Sequence, residues 1–146
     1  MPDANNFQAE ELRRCGIDDL PFILSLAYER YRAFDPGRTL IWLAQTLQNP
    51  LSLMLRAERA FLIASIAVPA WHPNEKEAHV LFVCAGDGYH WQACTLLRQS
   101  VDWARGQGCV SWHVSSETEY DIEPLARRLG AEPWVTRYKL RLTDAG

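Results

Sequence analysis

The sequence predicts one α/β domain with a mixed β-sheet, extending over residues 1–146. Three observations support this prediction. A length of 146 residues suits a single hydrophobic core. Hydrophobic residues make up 48% of the chain and charged residues 23%, the balance of an ordinary globular protein. Strand-like apolar runs are interleaved with segments whose apolar residues recur at helical spacing, in the order β-α-α-β-β-β-α-β-α-β.

The first half of the chain carries signals for a short strand, two helices and a β-hairpin. Asp18 and Asp19 supply a helix N-cap, and Pro21 fits the first helical turn, where a missing N–H costs nothing. Asn49 and Pro50 end the second helix. The expected elements are a strand over residues 11–15, helices over residues 19–34 and 40–48, and strands over residues 52–58 and 60–67.

The second half alternates strands with helices. We expect strands over residues 77–85, 109–115 and 134–142, and helices over residues 89–106 and 122–129. The long helix has an apolar stripe made of Ala93, Leu96, Leu97, Val101 and Ala104. A strand-helix-strand crossover favours parallel pairing around Val80 and Val114, whereas the central hairpin favours antiparallel pairing. A mixed sheet follows.

Charge and cysteine usage narrow the function classes. The net charge of −3 argues against nucleic acid as a partner. The four cysteines form no C-x-x-C pair and the four histidines complete no zinc-finger spacing, so we expect no metal site and a reducing, cytoplasmic location. The polar start of the chain lacks the pattern of a secretory signal. The longest apolar run, residues 61–70, is too short to cross a bilayer, so we expect no membrane partner.

A glycine-rich turn lies between a predicted strand and the long helix. It contains Gly86, Asp87 and Gly88. Such a turn directs several backbone N–H groups at one point, and the helix dipole adds partial positive charge there. The turn could therefore hold the diphosphate of a cofactor, although Asp87 adds a negative charge close to that point.

The long helix also carries a recognisable residue pattern. Leu96-Leu97, Trp103-Ala104 and Gly108-Cys109 follow one another at a spacing that resembles the corresponding helix of the GNAT acyltransferases, and residues 125–131 resemble the family's Leu-Tyr-x-x-x-Gly-Phe ending. The element order and the length resemble the same fold. The resemblance implies that acetyl-CoA or another acyl-CoA is the donor, and that a small-molecule or protein amine is the acceptor.

The family's donor loop reads Val-x-Pro-x-x-(Arg/Gln)-x-x-Gly-x-(Gly/Ala). Placed on this sequence, its proline falls on Ala85, its Arg/Gln on Gly88 and its first glycine on Trp91, while Ala93 is a permitted residue. The resemblance thus implies one donor-binding segment, with Val83, Cys84, Ala85, Gly88, Tyr89, Trp91 and Ala93 as its residues. Backbone groups of Val83 and Ala85 would pair with the pantetheine arm as an added strand does.

For the general base, the resemblance points to the strand where Glu77 and His79 stand. Strict alternation sets His79 on one face with Leu81 and Val83. An imidazole has an unperturbed pKa close to neutral, which suits removal of a proton from an ammonium group. A hydrogen-bonded histidine at a strand edge explains the same pattern.

The tyrosine that protonates the departing thiolate in many family members is replaced here by Ala126. Tyr120 is the candidate substitute, with Tyr138, a cysteine or water as alternatives. His113 could face the cleft, but the pattern also fits an edge or core histidine. Trp71 and His72 could form a substrate lid, and we favour a hydrophobic plug.

Three functional hypotheses therefore stand side by side. The first is an N-acyltransferase in which the amine attacks the thioester directly. The second is a non-catalytic protein of the same fold with a structural or regulatory role, motivated by Gly88, Trp91 and Ala126; some bacteriophage proteins resemble this chain in having an eroded donor loop. The third is an acyltransferase with another donor thioester. An open edge at the last strand would permit a homodimer.

Overall fold

A computed structural model of the chain describes residues 13–30, 34–115, 123–133 and 140–142. The strands in these residues are β1 (Arg13–Arg14), β2 (Ser52–Arg56), β3 (Ala60–Ala67), β4 (Glu77–Ala85) and β5 (Ser111–Val114). The helices are α1 (Leu20–Arg30), α2 (Pro36–Gln48), α3 (His90–Gly106) and α4 (Glu123–Leu129), and a 3₁₀ turn (Ile17–Asp19) leads into α1.

The strands form one mixed sheet in the order β1-β2-β3-β4-β5. Neighbouring strands from β1 to β4 pair antiparallel, and β4 pairs parallel with β5. The parallel pair requires a crossover connection, which α3 supplies. The mixed sheet predicted from the sequence is therefore confirmed.

Helices cover both faces of the sheet. On one face, α1 and α2 bury a cluster that includes Ile23, Leu26, Leu43 and Ile63. On the other face, α3 and α4 pack on a larger cluster of sheet residues through their own apolar stripes. The α3 stripe read from the sequence is buried as expected: Ala93, Leu96, Leu97, Val101 and Ala104. We call these two sides of the sheet the α1/α2 face and the α3 face.

A β-bulge interrupts β4 at Leu81. Ile63 of β3 lies opposite Phe82 and Ala64 lies opposite Val80, so Leu81 has no residue opposite it. One extra residue reverses the alternation of side chains between the two faces. Val83 consequently joins Val80 in the cluster on the α3 face.

Element boundaries differ from the prediction mainly at helix starts. The second helix begins at Pro36, four residues before the expected start, because the Asp35 carboxylate accepts a hydrogen bond from the Arg38 N–H and caps the helix. The first helix is described up to residue 30, and residues 31–33 lie outside the described part of the chain. Of the predicted last strand, residues 134–139 lie outside it too, and residues 140–142 form no regular element.

Candidate active site

The pairing of strands β4 and β5 ends at Val80 and Val114, where β5 itself ends. Their register runs only from Glu77 opposite Ser111 to Val80 opposite Val114. Residues 81–85 pair with β3 on one side and, in the part of the chain that the structure describes, have no strand on the other. An extended ligand can bind such an open edge through backbone hydrogen bonds. We call the edge of β4 along residues 81–85, with which no described strand pairs on this side, the fork.

His79 lies on the α1/α2 face, just before the fork. It is opposite Ser65, which is two residues along β3 from Ile63 and therefore points to the same side. Ile63 is buried in the cluster under α1 and α2. His113 is opposite His79 on β5, so it shares this face. The expectation that His79 and Val83 share a face is wrong, because the bulge at Leu81 lies between them.

Four polar side chains meet at this point, which we call the histidine cluster: Glu77, His79, Ser111 and His113. The two imidazole rings stack with centroids 4.6 Å apart and planes inclined by 10°. His79 Nε2 lies 3.3 Å from Glu77 Oε2, and His113 Nε2 lies 2.9 Å from Ser111 Oγ. All four residues are half-buried, so the cluster is partly accessible from outside the protein.

Burial is the main cause that lowers the pKa of His113 below its usual value. Charge on His79 lowers this pKa further, while the Glu77 carboxylate opposes the shift. A lowered pKa keeps the His113 imidazole unprotonated at neutral pH. The cluster therefore contains a proton acceptor in its working form.

The same residues bear on metal binding. One ligand atom from each of Glu77, His79 and His113 lies within 4.8 Å of the other two. A metal ion sits about 2 Å from each imidazole nitrogen and in line with its lone pair. Because the rings are stacked in nearly parallel planes, both would have to turn before they could share an ion. The arrangement fits proton transfer better than metal coordination.

Beyond the fork, the Gly86-Gly88 turn leads into the N-terminus of α3. Among the described residues, the Trp91 amide has no hydrogen-bond acceptor, as expected for the first turn of a helix, and neither has the Gly88 amide just before the N-cap Tyr89. Gly88 has a φ of 81°, and no atom lies within 4 Å of the position a side chain there would take. The Trp91 side chain is 43% exposed. The space beside Gly88 is therefore open to a ligand.

Two arginines surround this turn. Arg30 of α1 donates hydrogen bonds to the Ala85 carbonyl at 2.9 and 3.1 Å, and to Asp87 Oδ1 at 2.8 Å. The Arg59 guanidinium lies 3.1 Å from where a Cβ on Gly86 would stand, so a side chain at that position would displace it. The negative charge of Asp87, predicted to disfavour an anion, is thus paired with a cation.

A cavity of about 410 Å³ opens on the α1/α2 face next to the fork. Its described lining residues are Ile23, Ala27, Phe34, Arg38, Thr39, Trp42, Leu43, Phe61, Ile63 and Phe82. Trp42 and Phe82 meet edge to face, with ring centroids 5.9 Å apart. Arg38 is the one charged residue among the described residues that form the wall.

The structure distributes the expected donor-binding residues unevenly. Gly88, Tyr89 and Trp91 lie at the turn and the start of α3, whereas the side chains of Val83 and Ala93 are buried on the α3 face. The Cys84 side chain is buried on the α1/α2 face, with Sγ 3.9 Å from the Leu26 carbonyl oxygen. The Ala85 carbonyl, expected to pair with the pantetheine arm, already accepts hydrogen bonds from Arg30.

Other sequence expectations have mixed outcomes. Tyr120 and Tyr138 lie outside the described residues. Trp71 is 78% exposed, so the hydrophobic plug favoured for it is wrong. Arg30, Arg59 and Phe82 were missed, and no local motif marks them, because each reaches the site through the fold. His113, for which the sequence left a cleft-facing and an edge or core position open, lies half-buried beside His79 on β5.

No family model matches the sequence, and no curated protein matches it either. Solved structures do resemble the fold. An acetyltransferase of Trypanosoma brucei is 18% identical, with a TM-score of 0.73 over 90% of this chain and 99% of that chain. The aminoglycoside N-acetyltransferase AAC(6')-Iy in complex with CoA is 18% identical, with a TM-score of 0.69 over 89% and 93%. A transcriptional regulator of Bacillus halodurans C-125 is 12% identical, with a TM-score of 0.74 over 90% and 98%.

These similarities cover nearly the whole of each chain, and they show that this protein has the GNAT fold. At identities of 12 to 18% they identify the fold alone. Within the described residues, no helix has both the length and the hydropathy needed to cross a membrane.

Proposed function

We propose that the protein is an N-acyltransferase that moves an acyl group from coenzyme A to an amine, with the donor thioester at the fork. The observation that carries this proposal is the arrangement on one side of the sheet. The histidine cluster ends where the fork begins, and the fork leads to the open N-terminus of α3. A base, a thioester site and an anion site thus follow one another along β4.

The donor site is supported by the chain's own groups. The amides of Gly88 and Trp91 and the positive end of the α3 dipole would hold the diphosphate. Arg30 is paired with Asp87 and Arg59 with Glu29, so the backbone amides and the helix dipole, rather than net side-chain charge, would hold the anion. The edge of β4 along residues 81–85, which no described strand covers, would align the pantetheine arm, although Arg30 already donates hydrogen bonds to the Ala85 carbonyl. Acetyl-CoA is the simplest donor of this class.

Direct transfer fits the residues present. An imidazole of the histidine cluster takes a proton from the bound ammonium, and the free amine then attacks the thioester carbonyl. The carbon–sulfur bond breaks and the thiolate leaves with a proton from an acid, for which Tyr120 stays a prediction. The nitrogen loses its surplus proton as the amide forms, and that proton restores the acid. Most of the rate enhancement would come from holding the amine and the thioester in contact, and the base contributes about a hundredfold.

A test of the donor site can use two glycines that are alike in geometry. Gly88 and Gly108 have φ values of 81° and 76°, both are surrounded by open space, and they flank opposite ends of α3. Gly88→Asp and Gly108→Asp should therefore lose similar amounts of stability, because each places a non-glycine residue at a positive φ. Only Gly88→Asp adds a negative charge at the anion site, and we expect it to weaken acetyl-CoA binding about tenfold or more in calorimetry.

Turnover is measured by mass spectrometry of the acetylated amine. His79→Asn and His113→Asn are each expected to reduce kcat/KM while leaving the acetyl-CoA affinity unchanged, because the histidines lie before the fork. Absence of any heat with about millimolar acetyl-CoA would end the proposal.

One specific observation favours a second candidate, a binding protein without catalysis. Trp91 occupies the position of the family's first loop glycine, and its indole is half exposed at the start of α3. A structural or regulatory protein could use this exposed aromatic side chain to bind a partner. Detectable acetylation of any amine, with a lower kcat/KM in His79→Asn, decides against this candidate.

A further inference from the structure

We infer that the acceptor is an amine carrying an aromatic or branched hydrocarbon group, and that this group occupies the cavity on the α1/α2 face. The inference rests on the proposed function and adds the substrate class. It is drawn from the position of the cavity, its apolar wall and the lack of carboxylates among its described lining residues.

The cavity adjoins the place where the thioester would lie. Phe82 forms part of its wall and is also the second residue of the open stretch of β4. Ile63 forms another part of the wall and shares its face with Ser65 and His79. A ligand in the cavity can therefore present its amine to both the histidine cluster and the fork.

The wall of the cavity selects for hydrocarbon. Nearly all its described residues are aliphatic or aromatic, and its volume of about 410 Å³ is typical of a small-molecule site. Trp42 and Phe82 present ring edges and faces on which a second aromatic group can stack. Burial of a phenyl-sized group against such a wall improves binding about tenfold or more over a methyl group.

Charge disfavours the alternative class, the polycationic amines. Among the described residues that line the cavity there is no Asp or Glu, and the charged one is Arg38. An acceptor with several ammonium groups would leave charges without partners in this apolar site. Some solved proteins with this fold are aminoglycoside acetyltransferases. Their acceptor class does not suit this cavity.

The test compares 2-phenylethylamine with ethylamine, spermidine and kanamycin on the full chain. With saturating acetyl-CoA, we expect kcat/KM for 2-phenylethylamine to exceed that for ethylamine by about tenfold or more, and to exceed those for spermidine and kanamycin. Trp42→Ala should abolish the preference for the phenyl group. The matched control is Ile41→Ala on the same helix, which removes an exposed side chain outside the cavity wall and should retain it.

A second measurement separates the two proposals. Binding of 2-phenylethylamine without donor is followed by saturation-transfer NMR in wild type, Trp42→Ala and Ile41→Ala. If acetyl-CoA is consumed but spermidine or kanamycin is the best acceptor, the inference is overturned and the acyltransferase proposal stands. If acetyl-CoA does not bind, the acyltransferase proposal fails. Equal binding of 2-phenylethylamine to wild type and Trp42→Ala overturns the inference in either case.

Discussion

Asp19 joins the first strand, the first helix and β2 through one carboxylate. Arg13 contacts it with two nitrogens at 2.6 Å, Arg56 contacts it at 3.1 Å, and the Gly16 amide donates to it at 2.7 Å. The Asp19 side chain is only 7% exposed. Hydrogen bonds from Arg13 are the largest cause that holds the pKa of this carboxyl well below its usual value, against the effect of burial.

We expect Asp19→Asn to lower the free energy of unfolding by about 1.5 to 3 kcal/mol, because it removes the negative charge and one of the two oxygens that accept hydrogen bonds from Arg13, Arg56 and the Gly16 amide. Asp18→Asn is the control, since Asp18 is exposed next to it.

The stabilisation by Asp19 needs the ionised carboxylate, whose folded pKa is depressed. It is complete above the unfolded value of 3.8 and is lost as the pH falls below that value. Urea unfolding at pH 7 and pH 3 should show the gap between wild type and Asp19→Asn shrinking in acid.

The His113 titration offers a second residue-scale prediction. Since burial and charge on His79 lower the pKa of His113 and Glu77 raises it, two variants should move this pKa in opposite directions. NMR of the ring protons should give a midpoint below 6.5 in wild type, a lower one in Glu77→Gln and a higher one in His79→Asn. A shift of the His113 pKa in the same direction in both variants would contradict the arrangement of the histidine cluster.

The lowered His113 pKa also affects stability. The folded state favours the neutral ring, so the contribution of His113 is complete above the unfolded value of 6.5 and is lost as the pH falls below it.

At the scale of elements, α3 is the main support of the candidate site, since its N-terminus forms the anion site and its stripe covers the sheet. Leu96 is fully buried in that stripe. Leu96→Ala should cost about 2 to 5 kcal/mol of unfolding free energy, through lost burial and the cavity that remains. Arg98→Ala, two residues along the helix on its exposed side, should change stability by less than about 0.5 kcal/mol. Comparable losses in the two variants, measured by urea unfolding, would contradict this packing.

The elements also show how far sequence reasoning reaches. Helical and strand periodicity predicted α3 and the β2–β3 hairpin within a few residues, because burial on a regular period determines them. The bulge at Leu81 was not predicted, since Leu81 is a normal strand residue and the extra position appears only against β3. That single residue decides which of the expected site residues share a face.

Long-range contacts explain the rest of the difference. Arg30 reaches Ala85 and Asp87 across more than fifty residues of chain, and nothing near Arg30 in the sequence indicates this. The cavity likewise combines α1, α2, β3 and β4. A family resemblance places the donor loop along the sequence, but side chains from other elements determine what can bind there.

At the scale of the whole molecule, ligand binding should be visible as stability. A donor that binds only the folded chain adds about 2.7 kcal/mol at about a hundred times its Kd. For a domain of this size that raises Tm by roughly 5 to 10 °C. Differential scanning fluorimetry with acetyl-CoA should show this shift in wild type and in Gly108→Asp, and a much smaller one in Gly88→Asp. Equal shifts in both variants would place the donor somewhere other than the start of α3.

Because Arg30 contacts the turn from α1, it connects the donor site with the acceptor site. Its helix, α1, forms part of the cavity wall. Its guanidinium donates hydrogen bonds to the Ala85 carbonyl and to Asp87, in the turn that would receive the anion. An acyl-CoA that displaces the Gly86-Gly88 turn would also displace α1, through Arg30. An acceptor bound in the cavity would likewise restrict the movement of that turn. Binding of either substrate would thus change the affinity of the protein for the other, and by thermodynamic reciprocity the factor is the same in both directions.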